Sequence, residues 1–213
     1  MSGRAQGRRR ATLWLTVIAG VALLALAVAL VARNLGESRA ADQAAGETLA
    51  QVDGQIADRA ASASAEGAIV WQLDREMPTV QADGRDWVGV ISVPPLNIEL
   101  PILATWDEGA LRTGACRYSG SYYTDDLVVG AYNYSSFFGP LLNVQVGADV
   151  YLTNADGRRI RYTVSNRETL RATAVSQLVE NRQNSDAASD WDLTLFTCDV
   201  SGTARCAVRC VRQ

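Results

Sequence analysis

The sequence predicts a mostly β domain, a small sandwich or barrel, preceded by one apolar N-terminal helix. Three observations lead there. Short β-rich runs alternate with turn residues from Asp86 to Gln213. One pair of runs flanks Asn154-Ala155-Asp156-Gly157, a hairpin signature. Near the N-terminus an uncharged stretch is long enough to cross a bilayer.

That stretch runs from Ala11 to Ala32 and consists mainly of Leu, Val, Ala and Ile. At about 1.5 Å per helical residue it spans a hydrocarbon core of roughly 30 Å. Arg4, Arg8, Arg9 and Arg10 precede the first acidic residue, Glu37. Such a cluster predicts a cytoplasmic N-terminus and an outer C-terminal part. A cleaved signal peptide is the alternative, with Ala27-Val28-Ala29 mimicking a cleavage site. Signal peptides, however, carry apolar regions of only about 7–15 residues, so the longer run predicts an uncleaved anchor. The expected divisions are a basic tip over 1–10, an anchor over 11–33, a stalk or linker over 34–85 and an outer domain over 86–213.

The stalk is rich in Ala, Asp, Glu, Gln and Ser. Leu49, Val52 and Ile56 form a thin apolar stripe, so it reads either as a partly helical stalk or as a disordered spacer. Pro78 and Gly84 then break the chain. Strands are expected at Val88–Val93 and Ile98–Leu103, around Pro94-Pro95. Leu127–Val129 is continuously apolar, as a strand buried on both faces would be. Val150–Thr153 pairs through the hairpin with the alternating Ile160, Tyr162 and Val164. Leu193–Thr197 and Ala207–Val211 complete the set. Helical signals are few: Asp107–Arg112, Phe137–Leu142 and Ala174–Arg182.

The net charge of −3 is unevenly placed. Beyond the basic tip, 16 arginines face 23 acids, which leaves −7. An acidic body argues against nucleic acid as a partner. The chain has no histidine, and none of its four cysteines forms a close two-residue-spaced pair. A metal site is therefore not expected. No nucleotide or cofactor motif is present.

Cys198 ends a strand and faces a loop, as a nucleophile would, although a lone strand cysteine can equally be an inert core thiol. Arg205 follows a short turn through Ser201-Gly202. A hairpin there brings its guanidinium beside the sulfur, and a nearby cation favours the reactive thiolate. Arg205 and Arg209 share one strand face, so Cys206 and Cys210 point the other way. Four residues of strand, roughly 13 Å, exceed the disulfide reach of about 7 Å, so those two cannot bridge each other. Pairing of either with Cys116, or three free buried thiols, both remain open. Asp125 and Asp126 read as a solvated turn.

Thr194-Leu195-Phe196-Thr197-Cys198 resembles the TLxTC signature of the sortase family, and Arg205 falls where that family's catalytic arginine opens the last strand. Val88 through Pro94 and Leu100-Pro101-Ile102 are similar to the family's first two strands. Leu127 to Leu142 looks like its central strand and following helix. The resemblance covers about Trp87 to Val211 and implies an eight-stranded β-barrel with a few short helices. It also implies cysteine transpeptidation: a thiol cleaves the Thr-Gly bond of an LPxTG-like sorting signal, and a cell-wall or pilin amine resolves the thioacyl intermediate. The partners so implied are surface proteins or pilins with C-terminal sorting signals, with no cofactor. Cys198 would be the nucleophile and Arg205 the oxyanion and substrate ligand. Thr197 would shape the substrate groove, with Asn133 nearby. The insert from Ala174 to Asp190 looks more like class B sortases than the simplest members.

One departure stands out. Sortases carry a histidine after the central strand, where this chain reads Gly130-Ala131-Tyr132-Asn133-Tyr134. Tyr132 sits at that position. Free tyrosine ionises near pH 10, far from the range of a neutral-pH proton shuttle. The sequence thus implies either an impaired transpeptidase or a non-catalytic relative that holds sorting signals or pilins, with Tyr132 as a packing aromatic among Tyr122, Tyr123 and Tyr134.

Overall fold

The structure, a computed structural model, describes residues 3–62, 76–174, 176–179, 191–199 and 202–213. Helix α1 spans Gly3–Ser62. The chain divides into two compact units, the first ending at Ala40 and the second beginning at Ala41. In the first, α1 holds an apolar window of mean hydropathy 2.2 with none of it buried. Leu23 and Leu24 are each 67% exposed. This is the one helix among the described residues that is long and apolar enough to cross a membrane.

The second unit is a closed barrel. Its strands are β1 (Val80–Ala82), β2 (Arg85–Val93), β3 (Ile98–Leu103), β4 (Ala115–Ser119), β5 (Leu127–Gly130), β6 (Asp149–Asn154), β7 (Arg159–Arg171), β8 (Leu193–Cys198) and β9 (Ala204–Arg212). They are ordered β1-β2-β3-β4-β5-β8-β9-β7-β6, and β6 returns to pair with β2. Eight strands therefore close the barrel, and β1 adds a short flap beside β2. Closure leaves no long open edge, which removes a template for aggregation. At the seam β2 passes very close to β6: a Cβ on Gly89, at φ +150°, would lie 2.1 Å from the Thr153 carbonyl oxygen. Glycine is needed there both for that approach and for the backbone angle.

The expected strands all form. The hairpin after β6 is held by Asn154, whose Oδ1 accepts the backbone N–H groups of Asp156 (3.1 Å) and Arg158 (2.9 Å). Two strands were not anticipated: β1, which is only three residues long, and β4, which lacks an alternating pattern. β7 also runs on past Val164 to Arg171. A bulge between Val164 and Asn166 shifts its register against β9, and Ser165, Asn166 and Arg167 are all exposed. The period-two signal breaks at that point. The first two helical signals become short 3-10 turns at Ala110–Arg112 and Gly139–Asn143. The third becomes α2 (Ser176–Val179); the remainder of that expected helix, from residue 180, lies outside the described residues, as does Ser201 of the expected turn.

The stripe on α1 is buried. Val52 is 0% and Ile56 6% exposed, in a cluster with Val80, Trp87, Val90, Leu103 and Ala155. Arg59 pairs with Asp156 at 3.0 Å and donates to the Thr79 carbonyl at 2.9 Å. The stretch read as stalk or spacer is helical to Ser62 and clads the barrel from Ala41 on, because three apolar side chains at helical spacing suffice to cover an apolar patch around Trp87. The barrel interior holds Ile91, Leu100, Leu127, Leu152, Leu195 and Val208, with Cys206 and Cys210 among them. All four cysteines are free. Cys116 lies in the cluster under α1, apart from the interior pair, so the disulfide left open by the sequence does not form.

Candidate active site

Strand direction explains why distant residues meet. β5 and β8 are parallel neighbours, with Val129 beside Leu195 and Gly130 beside Phe196. The segments leaving their C-terminal ends, Ala131-Tyr132-Asn133 and Thr197-Cys198-Asp199, therefore emerge together. Three bonds tie them. The Ala131 N–H donates to Phe196 O at 3.2 Å, and the Thr197 hydroxyl donates to Ala131 O at 2.9 Å. The Asn133 amide donates to Asp199 O at 3.2 Å.

Arg205 arrives by a tight return from β8 into β9. The Asp199 N–H donates to Ala204 O at 3.0 Å, the Ala204 N–H donates to the Asp199 carboxylate Oδ1 at 3.0 Å, and Gly202 at φ +73° takes the left-handed turn position. The register then sets Cys198 directly across from Arg205. Directly opposed residues project to the same face, with Cβ atoms about 4.5–5.5 Å apart. Cys198 and Arg205 are both half-buried. Among the described residues the Arg205 guanidinium makes one hydrogen bond, to the neighbouring Ala204 carbonyl at 3.3 Å.

These groups open onto a cleft of about 330 Å³ lined by Tyr132, Thr197, Cys198 and Arg205. The cleft lies on the outer face of the sheet, because Phe196 and Cys198 point away from the interior that receives Leu193 and Leu195. An aromatic triad floors it. Trp106 stacks on Phe196 at 5.9 Å and 14°, and Tyr118 meets both rings edge-on at 5.2 and 5.5 Å. Gly130 makes that floor fit, since a Cβ there would come within 2.5 Å of Phe196 and 2.9 Å of Trp106. Glu108 and Arg171 add charge to the rim. The sequence reading missed these five residues of floor and rim; a tryptophan in the otherwise polar loop Thr105–Gly109 was the available signal.

Every site residue named from the sequence thus gathers at one end of the β5–β8–β9 sheet, four of them on the cleft and Asn133 behind it. The Tyr132 ring packs on Tyr134 at 5.2 Å, while Tyr122 and Tyr123 pair with each other at 4.5 Å. The remaining thiols differ in kind from Cys198. Burial pushes the Cys116 thiol up to about 11 and raises those of Cys206 and Cys210 as well, which holds them protonated and unreactive. The described residues contain no cluster of His, Cys, Asp or Glu able to hold a metal ion.

The sortase-domain family model matches residues 91–213, more than half of the chain and all four cleft residues. The chain belongs to the sortase family. Sortase A of Listeria monocytogenes is 30% identical over 122 residues, which cover 53% of this chain and 49% of that protein. The chain thus spans about half the length of that curated relative. Two solved sortases share the fold. Sortase A from Corynebacterium diphtheriae aligns over 85% of this chain and 95% of its own, with a TM-score of 0.53 and 19% identity. Sortase C from Streptococcus pneumoniae, described with regard to pilin substrate specificity, aligns over 80% and 96%, with a TM-score of 0.53 and 17% identity. The eight-stranded barrel expected from the sequence is therefore the sortase barrel.

Proposed function

We propose that this sortase is a membrane-anchored cysteine transpeptidase acting on C-terminal sorting signals of surface proteins or pilins, slowed by the lack of an imidazole. The observation that best supports this reading is the cross-strand pairing of Cys198 with Arg205 on an open cleft. The apolar helix would hold the domain on the outer side of the cell membrane, with the arginine tip in the cytoplasm.

In this scheme the Cys198 thiolate adds to the carbonyl carbon of the Thr–Gly bond. Arg205 donates to the carbonyl oxygen as charge develops there. The C–N bond breaks, its electron pair goes to the leaving amine, which takes a proton from solvent, and a thioacyl intermediate remains. A cell-wall or pilin amine then adds to that carbon, loses a proton, and expels the thiolate. Thr197 and Asn133 keep the two loops in register beneath the peptide. Tyr132 takes the place of the expected imidazole and offers only a hydroxyl. General acid–base help is worth about 10²–10⁴-fold, so turnover falls by that order while the groove persists.

The lack of any histidine also favours a second reading, a binding module that holds the signal uncut. Mass spectrometry of the full chain incubated with an LPxTG-like peptide from neutral to alkaline pH separates the two. The transpeptidase reading expects slow acylation at Cys198, none in Cys198→Ala, and a gain of about 10²-fold in Tyr132→His. Binding that survives Cys198→Ala, with no acylation at any pH, would favour the binding module. Neither acylation nor binding would overturn both.

A further inference from the structure

Six α1 residues, Asp42, Ala45, Leu49, Val52, Ile56 and Arg59, recur at spacings of three and four and so share one helical face. Both ends of that face are clasped by polar contacts. At one end Arg59 holds Asp156 and the Thr79 carbonyl. At the other, the Ser136 hydroxyl donates to the Asp42 carboxylate. Between them Ala45, Val52 and Ile56 are buried and Leu49 is half-buried.

Ser136 belongs to the loop that begins at Tyr132. That loop is wound tightly: the Phe138 N–H donates to Tyr132 O at 3.0 Å and the Gly139 N–H to Tyr134 O at 3.0 Å. It has no slack, since a Cβ on Gly139 would lie 2.6 Å from the carbonyl oxygens of both Asn133 and Tyr134. A displacement at Ser136 is therefore carried to Tyr132. Tyr132 itself is half-buried and packs against two clusters at once, the barrel interior and the cluster beneath α1, where Leu49 also packs. Its ring position depends on where this helical face sits.

We infer that the α1 face from Asp42 to Arg59 is a strut for the cleft, with Asp42 a positioning residue that acts through Ser136 to fix Tyr132. A hydrogen bond to an ionised acceptor is strong and directional, which suits it to hold a loop in register. The inference deepens the proposed function, and rests on the reading that Tyr132 borders the bound peptide. It also gives the helical stretch that clads the barrel a role at the cleft.

The test is fluorine NMR on the full chain in detergent, with 3-fluorotyrosine incorporated and the Tyr132 signal assigned through Tyr132→Phe. In Asp42→Ala and in Ser136→Ala the Tyr132 signal moves or splits, while that of Tyr162 in the barrel interior stays in place. The double variant moves it no further, and Ser136→Thr, which keeps the hydroxyl, leaves it unchanged. Affinity for an LPxTG-like peptide falls about fivefold in each alanine variant, the equivalent of one hydrogen bond of roughly 1 kcal/mol. A Tyr132 signal indifferent to Asp42→Ala, or shifts that simply add in the double variant, would overturn the strut. If the signal moves as expected but the unaltered chain binds no peptide, the strut stands and the functional reading fails.

Discussion

Arg205 and Arg209 lie four residues apart on one face of β9, and their surroundings differ sharply. Arg209 is 5% exposed and fully engaged. It pairs with Glu168 at 2.6 Å, donates to the Thr194 hydroxyl at 2.7 Å and to Leu178 O at 3.0 Å, bonds Gln177 O, and stacks 4.6 Å from the Trp191 ring. Among the described residues Arg205 makes a single bond, to its own neighbour, and it faces the cleft. A buried cation costs several kcal/mol to desolvate and persists only when its donors are satisfied. An arginine left half-buried with donors to spare is free to bind something else. The same strand face thus carries one arginine that secures α2 over the sheet and one that is available to a ligand.

Removing each arginine in turn sharpens this contrast, and it carries the largest expected effect. Arg209→Ala strands Glu168 and frees the carbonyls of Gln177 and Leu178. Loss of a buried partner costs about 3–5 kcal/mol. Glu168 keeps 35% of its side chain in solvent, which places the loss near the lower end. For a domain of this size that is a fall of roughly 6–12 °C in Tm. Arg205→Ala leaves Tm within about 2 °C, as expected for a residue with little intramolecular bonding, but abolishes peptide acylation or weakens peptide binding. Calorimetry beside a peptide-binding assay reads both; equal stability losses would mean that the two arginines are structurally alike.

The floor of the cleft offers an intermediate effect. Gly130→Ala drives a methyl group into Phe196 and Trp106. Overpacking of this kind costs about 1–3 kcal/mol. Both rings line the cleft, so their displacement alters the peptide site as stability falls. Denaturant unfolding and peptide affinity should decline together. A loss of stability with unchanged affinity would show that Trp106 and Phe196 do not bear on the ligand.

The same division between structural and available groups explains what the sequence disclosed. Strands with a steady period of two or with unbroken apolar runs were legible, as were Cys198 and Arg205, because a tight hairpin fixes their register whatever the rest of the barrel does. Tyr132 and Thr197 were named only through the family resemblance, since the parallel pairing of β5 and β8 that carries both to one end is a long-range feature. What was hidden depends on packing at long range. Trp106, Tyr118 and Phe196 meet only after the barrel closes, and no local pattern joins them. β7 looked short because a bulge broke its alternation. The α1 face read as either a partly helical stalk or a spacer because its stripe is thin and part of its closure is polar, through Asp42 and Arg59.

The smallest effect concerns the cysteines, where the contrast between buried and available groups recurs. Under native conditions at neutral pH, iodoacetamide should label one site, Cys198, because Cys116 and Cys210 are fully buried and Cys206 is 4% exposed. Unfolding in denaturant should raise the count to four. The buried thiols also set a slope in stability against pH. Burial lifts the Cys116 thiol to about 11, above the ordinary thiol value of 9.0, and raises Cys206 and Cys210 too. Below the unfolded value both states keep these protons, so stability is flat. Above it the unfolded chain releases them first and is favoured, so stability declines as pH rises from about 9 toward 11. Replacing Cys116 with Ser removes its share of that slope, which denaturant unfolding at a series of pH values from about 8 to 11 reads directly. A slope indifferent to Cys116→Ser would mean that the thiol beneath α1 is not shielded from water in the folded chain.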